Sequence, residues 1–103
     1  MYIYSVTTHI QKSVSADWEH YMKTTHMNDV LNTGCFSKAN LKKLLTDNVT
    51  KSVSYISEYF TESKENYDQY LALYATVLRQ DVLNQFGSKF TAETERAFYE
   101  IVD

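Results

Sequence analysis

The side chains best suited to chemistry at neutral pH are few in this chain, which holds three histidines and one cysteine. His26 follows Met22 by one helical turn, at the edge of the apolar face of a predicted helix. An imidazole there could titrate near neutrality or act as a general base. Alternatively, His26 could hydrogen-bond a backbone carbonyl and fix the turn that follows the helix. The spacing leaves both roles open.

Arginine occurs only as Arg79 and Arg96, whereas the other positive charges are lysines. Arg96 alternates with Phe98 and so belongs to the apolar face of a predicted strand. A guanidinium on such a face needs a partner, either an internal carboxylate such as Glu58 or an anionic ligand. An internal ion pair, within one chain or across a dimer, is the more frequent solution. For Arg79 the corresponding alternative is a solvated or ion-paired helix position.

Cysteine and tyrosine side chains offer two further possibilities. Cys35 could be a nucleophile if His26 lowered the pKa of its thiol, but a small buried thiol is the commoner role of a free cysteine. Tyr55 and Tyr59 share one face of a predicted strand, which makes them candidates to line a pocket. The tyrosines of the second predicted helix follow its apolar stripe and are expected in the core.

Several kinds of site are disfavoured by the motifs the chain lacks. No CxxC or HExxH occurs, and the histidines form no i, i+4 pair, so we predict no metal site. Two isolated glycines cannot build a dinucleotide or phosphate loop, and we predict no cofactor. The net charge of -3 opposes nucleic-acid binding. The lysine cluster around residues 38–43 is interpreted as a solvated face.

The elements that must position these residues follow from two hydrophobic periods. Alternating apolar residues predict strands over residues 2–10, 36–45, 52–60 and 90–99, although residues 41–45 would also tolerate a helix. Helical spacing predicts one helix from an N-cap at Ser15 through Leu31, closed by Gly34, and a second from an N-cap at Ser63 to Phe86, stopped by Gly87. Residues 46–51 are predicted to form a hairpin connection between the middle strands.

The order β-α-β-β-α-β is typical of a ferredoxin-like α+β sandwich, a four-stranded antiparallel sheet with two helices on one face. A single such domain is predicted over residues 1–103. Apolar and aromatic residues lie on both faces of the predicted strands, and a single helical layer leaves one face uncovered. We therefore expect a homodimer in which two sheets pack face to face as a dimeric α+β barrel.

The composition limits the kinds of protein to which this chain can belong. With 44% hydrophobic and 22% charged residues the chain resembles ordinary globular domains. No apolar stretch approaches the length of a membrane span, and the N-terminus lacks the pattern of a secretion signal. The single cysteine, Cys35, cannot form an internal disulfide. We expect no membrane partner and a cytoplasmic location.

Several motifs suggest a family. Trp18, Met22 and His26 recur at intervals of four and lead into Thr33-Gly34-Cys35-Phe36, and Phe86-Gly87 follows the second helix. This pattern resembles the domain of unknown function 4286 family of small bacterial proteins, which is similar to dimeric α+β barrels. Those include cofactor-free monooxygenases, haem-degrading enzymes and small-molecule sensors. The resemblance implies the barrel fold and a dimer, whereas fold alone does not imply function.

These considerations predict a cavity between the sheet and the helices, lined by Thr7, His26, Tyr55, Tyr59 and Arg96. The leading hypothesis is a non-catalytic domain that binds a small molecule or another partner. The alternative is a cofactor-independent enzyme of the dimeric-barrel type, monooxygenase-like, in which His26 carries a proton. In that case a tyrosine or Arg96 would orient an aromatic or anionic substrate.

Overall fold

A computed structural model describes residues 1–46 and 51–103 of the chain. The strands are β1 (Tyr2–Gln11), β2 (Lys38–Lys43), β3 (Ser52–Thr61) and β4 (Glu95–Glu100). The helices are α1 (Ser15–Tyr21), α2 (Met27–Asn32), α3 (Lys64–Leu73) and α4 (Ala75–Phe86). A π-helical turn, Met22–His26, joins α1 to α2, and 3-10 turns lie at Lys12–Val14 and Gly87–Lys89. The predicted hairpin connection falls largely on residues 47–50, outside the described residues.

The four strands form one antiparallel sheet in the order β2-β3-β1-β4. Tyr4 of β1 lies opposite Tyr59 of β3 on one side and Phe98 of β4 on the other. The helices cover the face that carries these three residues, where most of the buried side chains lie. The predicted ferredoxin-like α+β architecture is therefore confirmed.

Two strands end within one residue of the prediction, but the fourth starts later than expected. β4 begins at Glu95, which pairs with Thr7, while Phe90 forms only an isolated bridge with Ile10. Two residues of β1 therefore face the four residues 91–94, and the extra residues bulge out of the sheet. This bulge, residues 91–94, borders the cavity described below.

Helix boundaries differ from the prediction in two places. Val14, not Ser15, occupies the N-cap of α1, and no side chain caps that helix. The second predicted helix is broken at Tyr74, whose φ of -125° and ψ of -32° separate α3 from α4. Neither glycine nor proline marks the break, so local sequence offers no signal for it. Ser63 caps α3 as predicted, because its hydroxyl accepts a hydrogen bond from the Asn66 amide.

Aromatic rings dominate the core between the sheet and the helices. Tyr4 contacts Tyr59 and Tyr70 with ring centroids 5.9 and 5.8 Å apart. Trp18 contacts Phe86 and Phe90 edge to face, at 5.2 and 5.9 Å. These two clusters border the space in which the candidate site lies, because their members line it from both sides.

None of the described helices covers the other face of the sheet. An apolar stripe runs across three strands of this open face, because Ile3 lies opposite both Phe60 and Tyr99. Tyr99 is 56% exposed, and the Lys38 ammonium lies 5.4 Å from the centroid of the Phe60 ring.

The helices of the described residues are too short or too polar to span a membrane.

Candidate functional site

A cavity of about 380 Å³ lies between the sheet and the helices. Its floor comes from β1 and β3, and its walls come from α1, the π-helical turn, α3, α4, the bulge and the start of β4. The apolar part of the lining consists mainly of Val6, Trp18, Met22, Val82, Leu83 and Phe90. This volume lies within the range of small-molecule sites in proteins.

The π-helical turn contributes two of the lining residues, Met22 and His26. A π-turn places an extra residue in one helical turn and is found often at functional sites. Met22 and His26 lie four positions apart and border the same cavity, and Met22 is buried while His26 is partly buried.

Several polar atoms beside the cavity lack hydrogen bonds. Trp18 Nε1, His26 Nδ1, the Tyr59 hydroxyl and Arg79 Nε are buried and have no partner among the described residues. All four belong to side chains that line the cavity. Buried polar groups without a partner are rare in folded proteins, because each forfeits its hydrogen bonds to water. Their concentration around one cavity marks it as the candidate site.

Both arginines of the chain lie at this cavity. Arg79 on α4 is partly buried, and its Nη2 donates a hydrogen bond to the Tyr4 hydroxyl at 3.1 Å. Arg96 on β4 is exposed and faces the helix side of the sheet. Within the described part of the chain, no carboxylate forms an ion pair with either guanidinium.

Glu58, the carboxylate suggested as an internal partner of Arg96, does not pair with it. Glu58 pairs instead with Lys42, at 3.2 Å. Both of those residues lie on the open face, since Glu58 is opposite Ser5 and Lys42 is opposite Ile56. The sheet separates Glu58 from Arg96, so the partners that stay open for Arg96 are a carboxylate across a dimer interface and an anionic ligand.

His26 is held as a neutral imidazole at neutral pH. Burial lowers its pKa, and nearby Arg96 lowers it further, while Asp29 and Asp81 partly oppose the shift. The imidazole stacks on the Tyr21 ring at a centroid distance of 6.3 Å and an angle of 15°. A neutral imidazole beside a cavity can accept a proton from a bound molecule.

Tyr59 presents a protonated phenol to the same space. Burial raises its pKa, and neighbouring Tyr70 raises it further. The Ser57 hydroxyl opposes this shift in part, although no hydrogen bond of ordinary geometry joins the two groups. The phenol is therefore able to donate a hydrogen bond to a ligand.

Three of the five predicted lining residues, His26, Tyr59 and Arg96, meet at the cavity. Thr7 lies outside it, because β1 alternates and Thr7 points to the open face opposite Ile56. Tyr55 also lies outside it, because its hydroxyl donates to Glu19 Oε2 at 2.6 Å beneath α1. The predicted lining is corrected for these two residues.

Cys35 does not lie at the cavity. It is 3% exposed and belongs to the hydrophobic core, and its backbone amide donates to the Thr33 hydroxyl at 3.2 Å. The geometry matches the small buried thiol rather than the nucleophile.

The sequence did not identify Tyr4, Trp18 or Arg79 as members of the site. Trp18 belongs to the buried face of α1, and its ring lies in the core at 2% exposure. Arg79 shares one face of α4 with Val82 and Leu83, and that spacing was the available signal. The break at Tyr74 hides this spacing in the sequence, because the apolar stripe of α3 does not continue into α4.

The arrangement suits a molecule that carries hydrogen-bond acceptors. It combines two guanidinium groups, three phenols, an indole N–H and a neutral imidazole around an apolar interior. Among the described residues, no three His, Cys, Asp or Glu side chains come close enough together to hold a metal ion.

Solved structures with the same fold cover almost the whole chain, whereas no curated protein matches it significantly in sequence. The At3g17210 protein of Arabidopsis thaliana is 16% identical, with a TM-score of 0.72 over 100% of this chain and 97% of that one. A putative antibiotic biosynthesis monooxygenase from Nitrosomonas europaea is 7% identical, with a TM-score of 0.69 over 100% of both chains. At these identities the likeness establishes the fold.

A third similar structure contains a bound small molecule. It is a monooxygenase from the gene ActVA-Orf6 of Streptomyces coelicolor, in complex with Nanaomycin D. It is 10% identical, with a TM-score of 0.67 over 99% of this chain and 88% of that one.

The family is shown by sequence. The model of the family described as Domain of unknown function (DUF4286) matches residues 1–101. That match spans every strand and helix and the whole lining of the cavity. The chain therefore belongs to the DUF4286 family.

Proposed function

We propose that the protein is a homodimeric domain that binds a small molecule in the cavity of each protomer. The observation that carries the proposal is the set of unpartnered buried atoms on Trp18, His26, Tyr59 and Arg79. Leaving such a group without a partner costs about 1–3 kcal/mol. A ligand that supplies hydrogen bonds to these side chains offsets this cost, so the bound state is favoured over the empty one.

Cavity shape supports the same proposal. Apolar side chains surround a few convergent polar groups, which is the usual composition of a small-molecule site. The Streptomyces coelicolor monooxygenase, which shares the fold, binds Nanaomycin D. That complex is compatible with ligand binding here but does not identify a ligand.

The experiment measures binding of the neutral fluorescent probe Prodan, together with native mass spectrometry of the freshly purified protein. We expect one Prodan molecule per chain and loss of binding in Ala92→Trp, because Ala92 lies on the exposed bulge at the cavity. Ala72→Trp is the matched control, since it adds the same indole to an exposed position on α3 outside the lining. Equal Prodan binding by both variants would contradict the proposal.

The dimer part of the proposal concerns the open face. Ile3, Phe60 and Tyr99 form the apolar stripe there, and the described helices all lie on the opposite side. A second copy packed on this stripe would bury it, and a symmetric pair of identical faces is the commonest arrangement of oligomers. The proposal also places the protein in the cytoplasm, where the free thiol of Cys35 would stay reduced.

A second candidate function is a cofactor-independent enzyme of the dimeric-barrel type with His26 as the proton carrier. The neutral imidazole at the cavity favours it, because a base must be unprotonated to accept a proton. The test supplies polycyclic phenols and oxygen and follows oxygen consumption. Turnover that is lost in His26→Ala and kept in His20→Ala would support catalysis, because His20 is exposed and outside the lining. Absence of turnover in the unmodified protein would exclude this reaction with those substrates.

A further inference from the structure

We propose that the ligand of the cavity is a planar aromatic or conjugated molecule with one carboxylate, whose carboxylate is bound by Arg79 and Arg96. This inference rests on the proposed function and names the chemical class of the ligand. Three separate observations support it: the charge at the cavity, the hydrogen-bond capacity of the lining, and the shape and composition of its apolar walls.

Charge at the cavity differs from that of the whole chain. The chain has 13 acidic residues and 10 basic ones, yet both of its arginines line this one space. Glu93 is the acidic residue of the lining and is exposed on the bulge. With His26 neutral, the lining carries one excess positive charge. A single negative charge on a ligand would balance it.

Both guanidinium groups keep donors for such a ligand. Arg79 donates a hydrogen bond from Nη2 to the Tyr4 hydroxyl, while its buried Nε has no partner among the residues described. Arg96 forms no ion pair with a described carboxylate. A guanidinium presents its N–H groups in a fork that matches the two oxygens of a carboxylate, which a lysine ammonium does not.

The unpartnered buried polar atoms of the lining include two that can only donate. Trp18 Nε1 and Arg79 Nε can only donate, and the Tyr4 hydroxyl, which accepts from Arg79, has its own proton free to donate. A ligand must therefore supply acceptors. A carboxylate supplies two oxygens and no donor when it is ionised.

The apolar walls fit a flat ring system. Trp18 and Phe90 stand edge to face with centroids 5.9 Å apart, and Met22 adds a flexible thioether beside them. The Tyr4 and Tyr59 rings border the cavity from the sheet. Aromatic and thioether side chains favour aromatic ligands through stacking, edge contacts and sulfur contacts.

The experiment compares 2-naphthoate with 2-naphthamide, which has the same ring and nearly the same shape but no charge. Calorimetry measures both affinities for the unmodified protein and for Arg96→Gln and Arg79→Gln. We expect the acid to bind roughly 10- to 100-fold more tightly than the amide, the range of one charge-assisted hydrogen bond. Arg96→Gln should remove about tenfold of the acid's affinity and leave that of the amide unchanged.

Two controls separate charge at the site from charge in general. Lys12→Gln removes a positive charge at an exposed position outside the lining and should change neither affinity. Arg79→Gln also removes the hydrogen bond to Tyr4, so its melting temperature is measured first. If that variant is unfolded, Arg96→Gln decides the result, because Arg96 is exposed and does not belong to the described hydrophobic core.

Each contrary outcome has a defined meaning. Equal affinities for acid and amide overturn the carboxylate inference, while the cavity proposal stands. If Prodan occupies the cavity and neither naphthalene compound binds, the inference fails and the proposed function again stands. If Prodan does not bind either, both fail together.

Discussion

Arg79 Nη2 donates a hydrogen bond to the Tyr4 hydroxyl at 3.1 Å, which ties α4 to the centre of the sheet across 75 positions of sequence. Tyr4 is 2% exposed, and Arg79 is partly buried. The Tyr4 hydroxyl therefore replaces one of the hydrogen bonds to water that the guanidinium loses on burial. The same bond orients the Arg79 side chain at the cavity. A structural contact therefore also positions a group of the candidate site.

Tyr4→Phe tests this contact. We expect the free energy of unfolding to fall by about 1–3 kcal/mol, because the guanidinium loses an acceptor while the ring packing stays. Urea unfolding measures the change. Tyr2→Phe is the control, since Tyr2 is partly buried on the same strand and its stacked ring, 5.4 Å from Phe98, is unaffected by loss of the hydroxyl. Equal losses in the two variants would show that the Arg79 contact contributes nothing specific.

The pH dependence of stability tests the environment of His26. Burial lowers its pKa in the folded state below the ordinary 6.5, so the unfolded chain takes up the proton first as the pH falls. The contribution of neutral His26 to stability is complete above the ordinary pKa of 6.5 and is lost as the pH falls toward the lower pKa of the folded state. We therefore expect the unmodified protein to lose more stability than His26→Gln between about pH 7 and about pH 5.

Urea unfolding at each pH supplies the comparison, and the difference between the two proteins removes the contribution of the carboxylates they share. His20→Gln serves as the control because His20 is exposed. A pH profile of His26→Gln that coincides with that of the unmodified protein would show that His26 titrates alike in the folded and unfolded states.

The dimer is tested at the apolar stripe of the open face. Ile3→Asp places a carboxylate between Phe60 and Tyr99, where a face-to-face dimer would bury it without a partner. We expect sedimentation to show a dimer for the unmodified protein and a monomer for Ile3→Asp. Leu73→Asp, at a position 63% exposed on the helical layer, should remain dimeric. A monomeric unmodified protein at micromolar concentration would overturn the proposed dimer.

The two glycines should respond oppositely to alanine. Gly34 has a φ of +79°, a conformation that is strained for residues with a Cβ, so Gly34→Ala should destabilise the protein by about 1 kcal/mol. Gly87 has a φ of -54° and its new Cβ would meet Leu83 at an ordinary 3.6 Å. Gly87→Ala should be neutral or stabilise by about 0.5 kcal/mol. Thermal unfolding measures both, and equal effects of the two changes would contradict the assigned backbone conformations.

The order of the elements could be predicted because each strand face repeats over many residues. Tyr4 and Tyr59 share one face, but Ile3 and Phe60 make the opposite face partly apolar, so the period gives which residues share a face and not which face the helices cover. Alternation does not give a position along the strand. Tyr55 and Tyr59 share a face, yet Tyr55 lies beneath α1 at Glu19 and only Tyr59 reaches the cavity.

Other parts of the site depend on departures from regular structure. The bulge at residues 91–94 leaves Phe90 and Arg96 in the same alternating pattern, so the sequence does not reveal it. The π-helical turn contains neither glycine nor proline, so it has no local signal either. Arg79, which donates to the Tyr4 hydroxyl, lies on α4 beyond the break at Tyr74. These features follow from tertiary packing, and a local pattern carries no signal for them.

Trp18 permits the most direct test of the ligand cavity. It is the single tryptophan of the chain, its side chain lines the cavity, and its Nε1 has no partner in the described part of the protein. Its indole N–H therefore gives one assignable signal in a proton–nitrogen correlation spectrum. We expect 2-naphthoate to move that signal saturably with one site per chain, and we expect no movement in Ala92→Trp once the added indole signal is assigned. An indole signal of Trp18 that stays fixed while 2-naphthoate, 2-naphthamide and Prodan are added in turn would contradict the account.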